Sequence, residues 1–149
     1  HDALPIFVHG DRTLILQGQE FRAIRSTYVH GTGTYNNELE WDNQTYIFVV
    51  GIPLIEGDRI NEIVFYGLDN ATGSTTVSCR LSSYDSTTRV ATVEYTDTSS
   101  GSGGNFTLTR NTAPLPITIT SPDSYFLHVF CSANNSVELH AVEIMYDHP

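Results

Sequence analysis

The side chains that could do acid–base or nucleophilic chemistry do not form a recognisable catalytic pattern in this sequence. Three glutamates, Glu62, Glu138 and Glu143, fall on predicted strands at positions that face solvent, where acidic residues usually form a solvated surface. No serine or cysteine lies in the local signature that accompanies a nucleophile and its histidine base. We therefore predict that the chain is not an enzyme and has no catalytic residues.

The histidines indicate one metal chemistry. A histidine at the first position of a β-rich chain resembles the copper site of polysaccharide monooxygenases, in which the terminal amine and ring of that residue bind the metal with a second histidine ring. This resemblance implies a copper enzyme with His1 as first ligand. We rank this copper enzyme last of three functional hypotheses, because no sequence motif identifies the histidine that would be the second copper ligand. The candidates for that ligand are His9, His30, His128, His140 and His148.

Loop oxygens offer a different metal site. Asp69 with Asn70, or Asp123 in the turn after Pro122, could bind calcium, which prefers carboxylate and carbonyl oxygens. The sequence has no Asp-x-Asp-x-Asp loop. We therefore assign no metal ligands and expect no cofactor, with calcium as the alternative at these loops.

Four N-glycosylation sequons occur at predicted turns or strand ends, where a transferase could reach them. Asparagine, serine and threonine favour turns whether or not they are modified, so both explanations stay open. The acceptors are Asn43, Asn70, Asn105 and Asn134.

Two cysteines, Cys79 and Cys131, each lie in phase with the apolar side of a predicted strand. We predict a disulfide between them within the core, which would stabilise the fold by roughly 2–4 kcal/mol; whether it joins the two sheets stays open. Two buried free thiols are the alternative.

The charge balance excludes several classes of partner. The chain has 149 residues, 17 acidic residues against 7 basic ones, all of them arginine, and a net charge of -10. Nucleic acids and anionic membranes need concentrated positive charge, so we expect neither as a partner.

The ends of the sequence lead us to expect an exported protein. It begins at His1 without methionine, which favours removal of an upstream secretory signal, with removal of a tag as the alternative. No apolar run approaches the roughly 20 residues that span a bilayer. We therefore expect an extracellular or cell-surface location and no membrane insertion.

These side chains must be positioned by strands, and the best-formed strand is predicted over Asp58–Asn70. Ile63 and Phe65 alternate there with polar or amphipathic neighbours, and turn residues bracket the run. The rest of the chain contains many short strands and no convincing helix, which is typical of an all-β fold. We predict a single antiparallel β-sandwich, jelly-roll-like, over residues 20–149, preceded by an extended segment over 1–19. The other main strands are predicted at 46–50, 75–82, 89–96, 105–110, 116–120, 124–132 and 136–146.

The last two predicted strands are expected to form a hairpin with a three-residue loop, 133–135. The inward phase of Val137 and Leu139 then changes to that of Val142 and Ile144. A β-bulge near Ala141 would absorb this slip.

Residues 51–60, GIPLIEGDRI, lead into the strand IVFYGLDN, and a glycine–serine loop and a closing VELHAVEIMY strand follow later. This arrangement resembles uncharacterised secreted bacterial β-sandwich domains over about Tyr46–Tyr146. The resemblance implies an exported jelly-roll-like sandwich and transfers no catalytic residue.

The N-terminal segment supports our first functional hypothesis, an extracellular structural subunit of a surface filament or pilus-like fibre. Residues 3–8 are apolar and are set off by His9 and Gly10, so they could complete the sheet of the next copy and build a head-to-tail homopolymer. An ordinary first strand is the alternative. The predicted interface residues are Leu4, Ile6, Phe7 and Val8.

Our second hypothesis is a carbohydrate-binding or adhesin module. Sugars stack on exposed aromatic rings, and several aromatic residues lie in or near predicted loops. These residues are Tyr28, Tyr35, Trp41 and Tyr84.

Overall fold

A computed structural model of the chain describes residues 11–23, 39–41, 47–70, 76–100, 103–131 and 137–149. Within this part of the chain, strands dominate and the only helical element is one 3₁₀ turn at Gly18–Glu20. No helix among these residues is long and apolar enough to cross a membrane. The strands are β1 (Arg12–Gln17), β2 (Arg22–Ala23), β3 (Leu39–Trp41), β4 (Ile47–Gly51), β5 (Arg59–Asp69), β6 (Val77–Asp85), β7 (Val90–Thr98), β8 (Asn105–Arg110), β9 (Ile117–Thr118), β10 (Asp123–Cys131) and β11 (Val137–Asp147).

The strands form two antiparallel sheets. The first sheet has the order β1-β11-β5-β8, with β3 also pairing β11 and β9 also pairing β5. The second has the order β2-β4-β10-β6-β7. The predicted all-β antiparallel sandwich is therefore confirmed.

The core lies between the sheets, and β5 supplies much of it. Ile63 and Phe65 of β5 are fully buried, as are Phe48, Leu81 and Leu127 of the second sheet. Burying one such side chain stabilises a fold by roughly 1.5–3 kcal/mol. The alternation read from the sequence thus identifies the inner side of β5 correctly.

The outer side of β5 is less exposed than alternation alone predicts. Val64 points away from Ile63 and Phe65, yet it is only 5% exposed. Its strand lies in the middle of the sheet, where Glu143 of β11 and Thr109 of β8 are its cross-strand neighbours. Neighbouring side chains on the same face therefore cover this position.

The predicted last hairpin is wrong, although its bulge is confirmed. β10 pairs β4 and β6 in the second sheet, whereas β11 pairs β1, β3 and β5 in the first. β10 and β11 therefore belong to different sheets, and the predicted loop 133–135 lies outside the described residues. A register shift between Leu139 and Ala141 lies where the change of inward phase required a bulge.

The predicted disulfide is also corrected, because Cys79 is a buried free thiol. The two cysteines lie on neighbouring strands of one sheet, with Cys79 opposite Val129 and Cys131 opposite Val77. Diagonal neighbours of this kind lie about 7–8 Å apart, whereas the Cα atoms of a disulfide-bonded pair lie about 4.4–6.8 Å apart. Burial raises the pKa of the Cys79 thiol well above its ordinary value.

The N-terminal segment is part of the sandwich where it is described. β1 pairs with β11 of the same chain along its whole length. The predicted interface residues Leu4, Ile6, Phe7 and Val8 lie outside the described residues, so donation of that stretch stays a prediction.

Asp147, at the end of β11, forms an ion pair with Arg59 of β5. This ion pair makes the stability of the fold depend on pH. Its carboxylate accepts hydrogen bonds from Arg59 Nε and Nη2 at 3.0 and 2.6 Å and from Asn61 Nδ2 at 3.1 Å. The hydrogen bond from Arg59 is the main reason that the pKa of Asp147 is lowered. A carboxyl with a lowered folded pKa stabilises the fold above its unfolded pKa of about 3.9, and this stability is lost as pH falls through the folded value.

We expect Asp147→Asn to lower the melting temperature at pH 7 and to flatten its decline between about pH 5 and pH 2. Thermal unfolding followed by circular dichroism across this range measures both effects. Glu56→Gln, at an exposed loop residue, is the control. If the melting temperatures of Asp147→Asn and of the unaltered chain fell in parallel as the pH was lowered, this account would be contradicted.

Candidate functional site

The outer face of the first sheet carries the candidate site. Ala141 of β11, Tyr66 of β5 and Thr107 of β8 are cross-strand neighbours in one row. Leu68 and Asn105 form the adjacent pair between β5 and β8. Because alternate residues of a strand share a face, the row containing Tyr66 lies opposite the core side of the sheet.

A depression in this face, which we name the Tyr66 depression, lies where β5, β8 and β11 run side by side. The bulge between Leu139 and Ala141 helps to shape it, because it inserts His140 beside the paired residues. The lining residues are Tyr66, Gly67, Asn105, Phe106, Thr107 and His140.

Carboxylates hold the polar ends of two lining residues. The Tyr66 hydroxyl donates a hydrogen bond to Glu143 Oε2 at 3.2 Å, and His140 Nε2 lies 2.9 Å from Glu138 Oε2. Partial burial, followed by the hydrogen bond to Glu143, raises the pKa of Tyr66 above its ordinary value. The phenol is therefore protonated at neutral pH and does not serve as a base.

The depression thus combines a half-buried aromatic ring with hydroxyl, amide and imidazole groups. Asn105 and Thr107 are exposed, whereas Tyr66 and His140 are partly buried. Such groups both donate and accept hydrogen bonds, and an aromatic face packs against apolar C–H surface. This chemistry suits a ligand with many hydroxyl groups.

Two further pockets formed by described residues lie at loops. One is lined by apolar residues that include Ile52 and Leu54 and by polar residues that include Glu56, Asp123 and Tyr125. Burial raises the pKa of the Tyr125 hydroxyl, and the charges of Asp123 and Glu94 add to the effect.

The other pocket includes Asp58 and His148 in its lining. His148 Nδ1 lies 2.9 Å from Asp58 Oδ1, and Asp58 Oδ2 accepts a hydrogen bond from the Ile55 amide at 2.9 Å. These contacts secure the turn before β5, so their role is structural.

Asp69 and Asn70, one of the two predicted calcium sites, form hydrogen bonds within the chain, and calcium binding there or at Asp123 stays a prediction. Asp69 is 2% exposed and accepts a hydrogen bond from Ser99 Oγ at 2.6 Å. Asn70 Oδ1 accepts a hydrogen bond from the Gly104 amide at 3.0 Å. Among the described residues, no three histidine, cysteine or acidic side chains are grouped to hold a metal ion.

The two predicted copper ligands whose side chains are described, His140 and His148, do not lie together. His140 lies beside Glu138 in mid-strand, and His148 contacts Asp58 beyond the end of β11. His1, His9 and His30 lie outside the described residues, and the side chain of His128 is not described.

Among the predicted glycan acceptors, Asn105 is exposed at the start of β8 and lines the Tyr66 depression. Asn70 is exposed after β5. Asn43 and Asn134 lie outside the described residues. Glycosylation at all four stays a prediction.

Of the aromatic residues predicted to bind sugars, Tyr84 is 37% exposed on β6 of the second sheet. The backbone of Trp41 lies on β3, opposite Val137 of β11. Tyr28 and Tyr35 lie outside the described residues.

Sequence reasoning missed Tyr66 and Thr107 as candidate binding residues and considered His140 only as a copper ligand. The outward phase of β5 was a usable signal for Tyr66, because it marks an aromatic residue on the solvent side of a well-formed strand. The positions of Thr107 and His140 depend on which strands pair with β5, which the sequence did not indicate.

The fold is similar to those of several solved structures. A low-affinity xylan-binding module, CBM86, from Roseburia intestinalis has a TM-score of 0.53 at 13% identity, with 91% of this chain and 96% of that chain covered. The CBM36-1 domain of a multidomain xylanase from the hindgut metagenome of Trinervitermes trinervoides has a TM-score of 0.51 at 10% identity, with 89% and 96% covered.

A third likeness is to dimeric latent PorU from Porphyromonas gingivalis, with a TM-score of 0.51 at 15% identity. It covers 93% of this chain but only 13% of that one. No protein-family model and no curated protein matches the chain. The chain therefore shares the antiparallel β-sandwich fold of carbohydrate-binding modules CBM86 and CBM36-1.

Proposed function

We propose that the chain is a non-catalytic carbohydrate-binding module of an exported protein, and that it binds a polysaccharide in the Tyr66 depression. The observation that carries this proposal is the combination of an aromatic ring with hydroxyl, amide and imidazole groups on one sheet face. The near-complete overlap with two modules of this kind supports it at the level of the fold.

The geometry of the depression supports recognition rather than chemistry. Tyr66 and His140 are each in contact with a carboxylate, so their rings are oriented before a ligand arrives. Side chains that are already oriented lose less conformational entropy on binding. A sugar ring could lie against Tyr66 while its hydroxyl groups exchange hydrogen bonds with Asn105 and Thr107.

We expect Tyr66→Ala to weaken polysaccharide binding at least about tenfold, equivalent to about 1.4 kcal/mol, because it removes the ring. Tyr66→Phe keeps the ring and loses only the hydrogen bond to Glu143, so it should stay within about threefold. A screen of soluble xylan, mannan and cellulose derivatives by affinity electrophoresis, followed by calorimetry on those that bind, measures these effects.

Tyr84→Ala is the matched control, because it removes an exposed tyrosine from the second sheet. It should leave affinity unchanged while unfolding data show that every variant is folded. If Tyr84→Ala or Trp41→Ala abolishes binding and Tyr66→Ala does not, the site lies elsewhere. If the folded chain binds no member of a broad panel, the proposed function is wrong.

Polymerisation through Leu4, Ile6, Phe7 and Val8 stays a separate prediction. Sedimentation of the full chain and of a variant lacking residues 1–8 would test it. A monomer at high concentration, with unchanged stability after deletion, would contradict it.

A further inference from the structure

Carboxylates occupy the outer face of the first sheet around the Tyr66 depression. Glu138 and Glu143 contact lining residues, and Glu62 lies further along β5, outside the lining. Glu62 Oε2 accepts a hydrogen bond from Asn111 Nδ2 at 3.0 Å. Glu138 and Glu143 each use one carboxylate oxygen in these contacts, so their second oxygens are the natural acceptors for a ligand hydroxyl.

The described arginines of the first sheet do not neutralise the negative charge of Glu62, Glu138 and Glu143 at the Tyr66 depression. Arg59 forms a two-pronged ion pair with Asp147, and Arg110 forms one with Asp97 of the second sheet. Arg12 lines the pocket beside His148 instead. The described residues that line the Tyr66 depression therefore include no guanidinium.

We infer that the Tyr66 depression selects uncharged polysaccharides and rejects those that carry uronate or sulfate groups. This inference rests on the proposed function. An acidic sugar would bring negative charge towards Glu138 and Glu143, where the described lining residues include no arginine to compensate it, and like charges repel across short distances in a partly buried site. A neutral sugar presents hydroxyl donors, which carboxylates accept well.

Matched pairs of polysaccharides test this inference, because each pair shares a backbone and differs in charge. Hydroxyethylcellulose is compared with carboxymethylcellulose, and unsubstituted xylan with glucuronoxylan, each at about 10 mM and about 300 mM salt. We expect the neutral member to bind at least about tenfold more tightly at low salt, with little salt dependence. The acidic member should bind more tightly as salt screens the repulsion.

Glu62→Gln removes one charge from the face without altering the lining. It should raise the affinity for the acidic member about two- to threefold at about 10 mM salt, where screening is weak, and leave the neutral member unchanged. Glu56→Gln, in the loop before β5, is the control with the same charge change.

The outcomes separate the two proposals. If an acidic member binds as tightly as its neutral partner, or weakens as salt is added, the inference on charge is wrong while the proposed function stands. If neither member of any pair binds the folded chain, the proposed function fails and this inference fails with it.

Discussion

Replacing Gly67 with alanine is expected to lower the free energy of unfolding by about 3 kcal/mol or more, at the upper end of overpacking effects. A Cβ atom on Gly67 would lie 2.2 Å from the backbone oxygen of Glu138 and 2.4 Å from the Phe106 ring. The first contact is with backbone of a paired strand, so a side-chain rotation cannot relieve it. The strand β5 would have to separate from β11 or β8.

Gly51→Ala is the matched control, because Gly51 also lies in a strand and a Cβ atom there would meet nothing within 4 Å. Urea unfolding monitored by circular dichroism measures both variants. The Gly51 variant should stay within about 0.5 kcal/mol of the unaltered chain. Equal stability of the two variants would show that the sheet does not need a close approach at Gly67.

The second large effect is expected for Ser99→Ala, which removes a buried hydroxyl between two strand ends. Ser99 Oγ accepts a hydrogen bond from the Val77 amide at 2.9 Å and donates one to Asp69 Oδ2 at 2.6 Å. Val77 is fully buried and Asp69 is 2% exposed. The alanine variant leaves the amide without this acceptor and the carboxylate without this donor, which should cost about 2–4 kcal/mol.

Ser78→Ala provides the comparison, since its hydroxyl lies 3.1 Å from Thr98 Oγ1 in an exposed pair. Water can replace that contact, so the loss should be at most about 0.5 kcal/mol. Denaturant titration of both variants at pH 7 gives the difference. If the Ser99 variant were no less stable than the Ser78 variant, the buried hydrogen bonds would not contribute as described.

The extent of the strands could be predicted from the sequence because it depends on local pattern. The strand predicted at 105–110 coincides with β8, and Ile63 and Phe65 lie in the core as their alternation indicates. The partner of each strand was harder to predict. Apolar alternation shows which side of β10 is buried, but it does not show that β10 and β11 belong to different sheets.

The candidate site depends on these long-range pairings, which is why most of it was missed. Tyr66 has an outward position like that of any solvated residue, and only its neighbours distinguish it. Thr107 reaches it through pairing of β8 with β5, and His140 through the bulge in β11. The cysteines illustrate the same limit, since their shared apolar phase says nothing about register.

The odd-numbered and even-numbered positions of β5 have different roles. Residues such as Ile63 and Phe65 maintain the interior, while Tyr66 on the opposite side belongs to the proposed recognition surface. Sequence change on one side therefore leaves the other side largely undisturbed. A chain built in this way can diversify what it recognises over generations, or in a laboratory library, without first acquiring compensating changes in its interior.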